Sequence, residues 1–201
     1  MNKQILFSLA TLEFLPVLVT VAIAKPEIAN AQMACDRRQI LSAPACKGDG
    51  LEAEEEKLYR LINQYRAQNG LPAIPVSPSL TLVANRHVRD LEANLKTVTH
   101  AWSNCPYSGS DSNTWPCMWK APQRLGTVYP GNGYENAHGG WGGYRASAQS
   151  ALRSWQSSRL HNAVILNQGM WNQPWKALGI GIYKNYAVLW FGRELDPAGQ
   201  Q

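Results

Sequence analysis

The residues best suited to chemistry in this chain are a few histidines and one acid in a glycine-rich setting. The stretch Tyr129-Pro130-Gly131-Asn132-Gly133-Tyr134-Glu135-Asn136-Ala137-His138-Gly139-Gly140 holds a carboxylate, an amide and an imidazole within four residues. Its glycines argue against the middle of a helix or a long strand, so it reads as a loop whose backbone can approach a ligand closely. Taken alone, Glu135 reads equally well as a solvated loop acid or as a cap for the helix that follows.

The other histidines raise the stakes. His100 and His161 each fall just beyond an expected helix, off the apolar stripes. Two imidazoles and a carboxylate, His100, Glu135 and His161, suit a divalent metal such as zinc with one position left for water. The same set can also supply a general base and an acid. The three are far apart in sequence, and no H-x-x-x-H pair strengthens the metal reading. His138 is close enough to Glu135 to join them. His87 falls on a helical stripe and reads as a packed, hydrogen-bonded core histidine. No serine or cysteine stands out as a nucleophile beside His100 or His161.

These side chains need elements to position them. Over 51–69, Leu58, Leu61, Ile62 and Tyr65 recur at helical spacing. Glu52, Glu54, Glu55 and Glu56 occupy the first turns, where the helix dipole favours negative charge, and Gly70 and Pro72 supply the stop. Ser77-Pro78 opens a second helix to about residue 96, with Leu80, Ala84, His87, Val88, Leu91 and Leu95 on one face. Residues 97–124 are loop-like, and their Trp102, Trp115 and Trp119 either plug the core or line a groove. A short strand is expected at 126–129 and a third helix at 146–157, after which 157–162 leads out as loop. Strands follow at 177–182 and 186–191, joined by Lys184-Asn185. Helices covering a small antiparallel sheet make this an α+β chain. The tail from 197 is expected to fray.

The first 31 residues read as a signal peptide. A basic start at Lys3 precedes an apolar run, and Ala29-Asn30-Ala31 is a small-x-small site, predicting cleavage after Ala31. Glu13 argues against a membrane span there, and no transmembrane segment is expected in the mature chain. About 170 residues remain, enough for one domain with a sizeable core, preceded by an extension at 32–50. The net charge of +5 is spread out. It permits attraction to a cell wall or anionic lipid, and with no basic run it gives no support to nucleic acid as a partner. Four cysteines behind an export signal read as disulfides. Of three possible pairings, short loops favour Cys35–Cys46 and Cys105–Cys117.

Several segments together resemble the CAP superfamily, which groups cysteine-rich secretory proteins, insect venom antigens and pathogenesis-related plant proteins. They are Leu61-Ile62-Asn63-Gln64-Tyr65-Arg66 with Asn69-Gly70-Leu71-Pro72, the helix with Ala84 and His87, Thr99-His100, Tyr134-Glu135-Asn136-Ala137, Trp155-x-x-Ser158-x-x-His161-Asn162 with Ile165-Leu166, and Leu178-Gly179-Ile180-Gly181-Ile182. The bacterial branch is the closer match, and a CAP (SCP) domain is expected over 51–196. The resemblance implies a three-layer α-β-α sandwich around a cavity lined by two histidines and two acids. By position it assigns His100 and Glu135 to that cavity, and His161 to the histidine that bacterial members place after the third helix. Two departures stand out. Tyr134 replaces the usual glycine, which is expected to narrow the approach. No motif selects a fourth, acidic member among Asp90, Glu92, Asp111 and Glu194.

The function expected is that of a secreted binding module rather than an enzyme. Its cavity would hold a divalent metal, and its partner would be a small molecule, a lipid or a cell-wall glycan. A peptidase-like hydrolase using Glu135 and a histidine is the alternative from another class. A structural envelope or matrix component is the third.

Overall fold

The computed structural model describes residues 34–199; the expected signal peptide lies outside them. Helix α1 (Ala53–Gln68) starts at the acidic run, and Glu52 and Glu55 cap each other's backbone across its first turn. Only Glu55 of that run is buried. Its carboxylate accepts from the amides of Glu52 and Ile182, each at 2.8 Å, fastening the helix to the sheet. Burial pushes its pKa up to about 7, against the pull of those hydrogen bonds.

Helix α2 (Pro78–Asp90) begins at Ser77, whose hydroxyl accepts from the Leu80 amide. It ends in a single π-helical turn, Leu91–Leu95, closed by Lys96 in the left-handed region at φ 57°. The long segment that follows contains two one-turn helices, α3 (Pro116–Trp119) and α4 (Ala121–Arg124). Both expected disulfides are present, Cys35–Cys46 and Cys105–Cys117.

Three expectations need correction. The glycine-rich stretch is largely a strand, β1 (Gly133–Gly139). Its end glycines are tolerated because large side chains press on them: a Cβ on Gly133 would lie 2.6 Å from the Trp190 ring, and one on Gly139 2.5 Å from Tyr186. The expected strand at 126–129 is irregular backbone instead. It leads to buried Tyr129, whose hydroxyl donates to the Glu194 carbonyl and accepts from the Glu194 amide. Beyond α5 (Ala148–Ser157) the chain does not leave as loop but turns at Ser158 into α6 (Arg159–Ile165).

Strands β2 (Ala177–Tyr183) and β3 (Tyr186–Gly192) pair as an antiparallel hairpin, as expected. The sheet order is β1-β3-β2, with Glu135 opposite Trp190. Helices α1, α5 and α6 share one core with one face of the sheet, around Leu58, Ile62, Trp155, Ile165 and Leu189. Helix α2 shares the other, around Leu80, Ala84, Val88, Trp102 and Trp190. The three-layer α-β-α sandwich follows.

Helix α2 sits almost on the backbone of β2. A Cβ on Gly179 would lie 2.1 Å from the Leu80 carbonyl carbon, and one on Gly181 2.5 Å from that of Ala84. The tail is fastened rather than frayed at its start. The buried Asp196 carboxylate accepts from the hydroxyls of Ser77 and Ser79 and the Ser79 amide at the start of α2, and a 3-10 turn covers Pro197–Gly199.

Candidate functional site

Strand pleating turns the Glu135 side chain toward α2, while Tyr134 points to the other face. There Tyr134 packs against Trp171 and Trp175, so the residue replacing glycine does not line the approach to Glu135. The Glu135 side chain is fully buried, and each oxygen meets an imidazole: His87 Nδ1 on Oε1 at 2.5 Å and His100 Nδ1 on Oε2 at 2.7 Å.

His87 is the packed, hydrogen-bonded core histidine expected, and one of its partners is Glu135. Its Nδ1 faces a carboxylate and its Nε2 faces the Ala101 carbonyl at 2.9 Å. Both partners only accept, so both ring nitrogens must carry protons. The indole of Trp102 stacks on the ring at 4.3 Å, a contact that favours a cation. Burial works against this charge, but Glu135 beside it leaves the His87 pKa raised. Burial would equally raise Glu135; the His87 charge first, then the hydrogen bonds from both imidazoles, bring it down to about 2.

His100 has a different role. Its Nδ1 donates to Glu135, which fixes the ring's orientation and leaves Nε2 without a protein partner among the described residues. His161, on α6, places Nδ1 2.8 Å from Ser158 Oγ. The expectation concerned a nucleophile beside these histidines; Ser158 is the serine in contact with one of them. Asn136 ties α6 to β1 by donating from Nδ2 to the His161 carbonyl at 3.0 Å, while its buried Oδ1 has no protein partner among the described residues. Burial lowers the His161 pKa, the nearby His100 lowers it further, and Glu135 pulls the other way.

His100 and His161 border two crevices. One, of about 460 Å³, also reaches Glu135 and Asn136 and runs to Leu160, Met170 and Trp171. Leu160 and Met170 are 75% and 78% exposed, so its outer rim is open and apolar. The other, of about 320 Å³, is bounded by Thr99, Tyr107 and Ala137.

Among the described residues no three His, Cys, Asp or Glu side chains are grouped so as to hold a metal. Glu135 has given both oxygens to imidazoles, and of the histidines lining the crevices the ring nitrogens without a protein partner among the described residues are Nε2 of His100 and of His161. None of the four candidate acids lines either crevice. Asp90 instead holds the Ser103 amide and hydroxyl, and the second oxygen of Glu135 faces His87. His138 bonds to the Tyr144 hydroxyl at 2.6 Å and stays outside the Glu135 cluster. That His87 pairs with Glu135 was not readable, because its helical position signals only burial. Its facing partner lies on a strand that the glycines concealed.

A family model described as the cysteine-rich secretory protein family, CAP, matches residues 59–188. No curated protein sequence matches the chain. Among solved structures, an extracellular protein containing an SCP domain from Bacillus anthracis aligns at TM-score 0.52 and 23% identity, covering 70% of this chain and 40% of its own. An outer surface protein from Borrelia burgdorferi aligns at TM-score 0.52 and 16% identity, covering 71% of this chain and 94% of its own. At these identities the likeness is one of fold. The chain spans about two fifths of the Bacillus protein.

Proposed function

Since the chain belongs to the cysteine-rich secretory protein family, we propose that it works as an exported binding module whose ligand lies across His100 and His161. Export rests on the leader-like first 31 residues, the two disulfides and the extracellular and outer-surface proteins that share the fold. The observation that carries the reading is the Glu135 carboxylate. It holds the His100 ring by Nδ1 at the edge of a crevice with an apolar wall. A ligand with an apolar segment against Leu160, Met170 and Trp171, and a polar group at the imidazoles, fits this lining.

The donor set fits a divalent cation in part. His100 and His161 would hold it through Nε2, with Glu135 behind His100 as the orienting carboxylate rather than as a ligand. An ion there would supply a Lewis-acidic contact for a polar group of the ligand. Zinc content after dialysis tests this: the parent chain is expected to retain zinc and the His100→Ala, His161→Ala double variant to lose it. Equal metal in both ends the cation part. Displacement of a fluorescent alkyl probe tests the crevice, and Leu160→Ser with Met170→Ser should weaken it.

The contact between Ser158 and His161 favours a second reading, a hydrolase with Ser158 as nucleophile. The same contact suits a local bond that holds the His161 ring on the first turn of α6, where Ser158 is the N-cap position but its hydroxyl makes no bond to the helix backbone. Glu135 itself makes a poor general base, with its pKa near 2 and both oxygens engaged. Labelling by a fluorophosphonate that vanishes in Ser158→Ala would support this reading; no labelling of the parent would remove it.

A further inference from the structure

A cavity of about 640 Å³ shares no lining residue with the crevices at His100 and His161. It lies between the disulfide-looped extension, the π turn after α2 and the β2–β3 turn. One wall, residues 34–47, falls outside the stretch that the family model matches. The cavity is thus built partly from residues outside the family match.

Its lining is cationic. Arg37, Lys47, Arg89, Lys96 and Lys184 face three acids. Two of those acids are already engaged with backbone: Asp36 accepts from the Arg38 and Gln39 amides, and Glu52 caps α1. The third, Glu92, is shared by two lysines at loose separations, 3.4 Å from Lys184 Nζ and 3.8 Å from Lys96 Nζ. Lys47 has no carboxylate partner among the described residues.

The two lysines are held from unusual backbone. Lys96 and Lys184 both sit in the left-handed region, at φ 57° and 48°. Neither is glycine or asparagine, and such positions gather at ligand clamps. Lys96 closes a π-helical turn, an irregularity also frequent at functional sites. Arg89 is fixed by its bonds to the Asn85 carbonyl and Oδ1 and lies over the Tyr183 ring at 5.1 Å. Arg89 is thereby held in place before a ligand arrives, while Lys96 and Lys184 are half or more exposed and free to close on one, around a volume in the range of small-molecule sites.

We propose that this cavity binds a ligand carrying two or more phosphate groups, either a free oligophosphate or a phosphate-bearing glycan. Several closely set anionic groups match cations drawn from three separate elements, where a lone carboxylate would engage only one or two of them. Glu92 acts as the internal placeholder that the ligand displaces from Lys96 and Lys184.

Calorimetric titration of the full mature chain with inorganic tripolyphosphate, and with a glycerol-phosphate oligomer, tests this; citrate serves as the carboxylate comparison. Saturable binding that weakens with salt is expected for at least one phosphate probe. Lys96→Gln with Lys184→Gln should lower affinity roughly tenfold or more. The charge-matched pair Lys120→Gln with Arg153→Gln should leave it within about twofold. Glu92→Gln should tighten binding, a gain that a damaged fold cannot produce. Binding to tripolyphosphate alone points to a free oligophosphate, and binding to the oligomer to a chain-borne one. Absence of binding to both, citrate binding as tightly as phosphate, equal losses in the two charge-removing pairs, or weaker binding in Glu92→Gln would each overturn the proposal.

Discussion

Glu135 spends both oxygens on imidazoles, and its neighbours are fixed by that choice. The pair with His87 has two titration limbs. Glu135 contributes stability that is complete above the ordinary carboxylate value of 4.5 and is lost as pH falls toward about 2. His87 contributes stability that is complete below the ordinary imidazole value of 6.5 and is lost as pH rises through its raised value. The stability difference between the parent and Glu135→Gln should therefore be widest between pH 4.5 and 6.5 and narrow on either side. Urea melts at acid, intermediate and alkaline pH measure it, and a pH-independent difference would contradict the charged pair. His138 and His161, whose pKa values are lowered, occur in both proteins and largely cancel. Glu135→Ala removes a buried partner outright and should destabilise by about 3–5 kcal/mol near pH 5.5. At this scale the sequence was informative about His100 and Glu135, which meet, and silent about the partner of His87. A stripe of period 3.6 tells which residues face inward but not what they face.

Among the elements, the contact of α2 with β2 is the most exacting. Gly179 and Gly181 alternate with Leu178, Ile180 and Ile182, so the face of β2 toward α2 is bare where the helix backbone crosses. Gly179→Ala forces the helix away and should destabilise by about 2–3 kcal/mol, lowering the melting temperature by roughly 5–10 °C. An unchanged thermal melt would show that α2 can shift freely. Helix α1 and the β2–β3 hairpin were legible because long periodic or β-branched runs carry their own signal. Strand β1 was not, since its glycines owe their place to the rings of Trp190 and Tyr186 on β3. Helix α6 was hidden by its length of seven residues and by an extended Ser158 that separates it from α5.

Across the whole molecule, the described extension is integral to the domain despite lying before the family match. Arg86 reaches from α2 to both oxygens of Asp49 and to the carbonyls of Ile40 and Ala43, and Ile40 and Cys46 are buried. Asp49→Ala strands a buried guanidinium and should destabilise by about 3–5 kcal/mol, as read by chemical denaturation. Reduction of the two disulfides, which span 11 and 12 residues, should remove about 3 kcal/mol each by loop-closure entropy, seen as a lower melting temperature in dithiothreitol. The cysteine pairing was readable from spacing alone, whereas the Arg86–Asp49 bolt had no local signature. The two crevices share His100 and His161 as a common border. Because the same two rings flank both, separate guests on either side would antagonise each other, while a single elongated guest would straddle them. Paired short fragments should compete in solution, and tethering them end to end should turn that rivalry into cooperation.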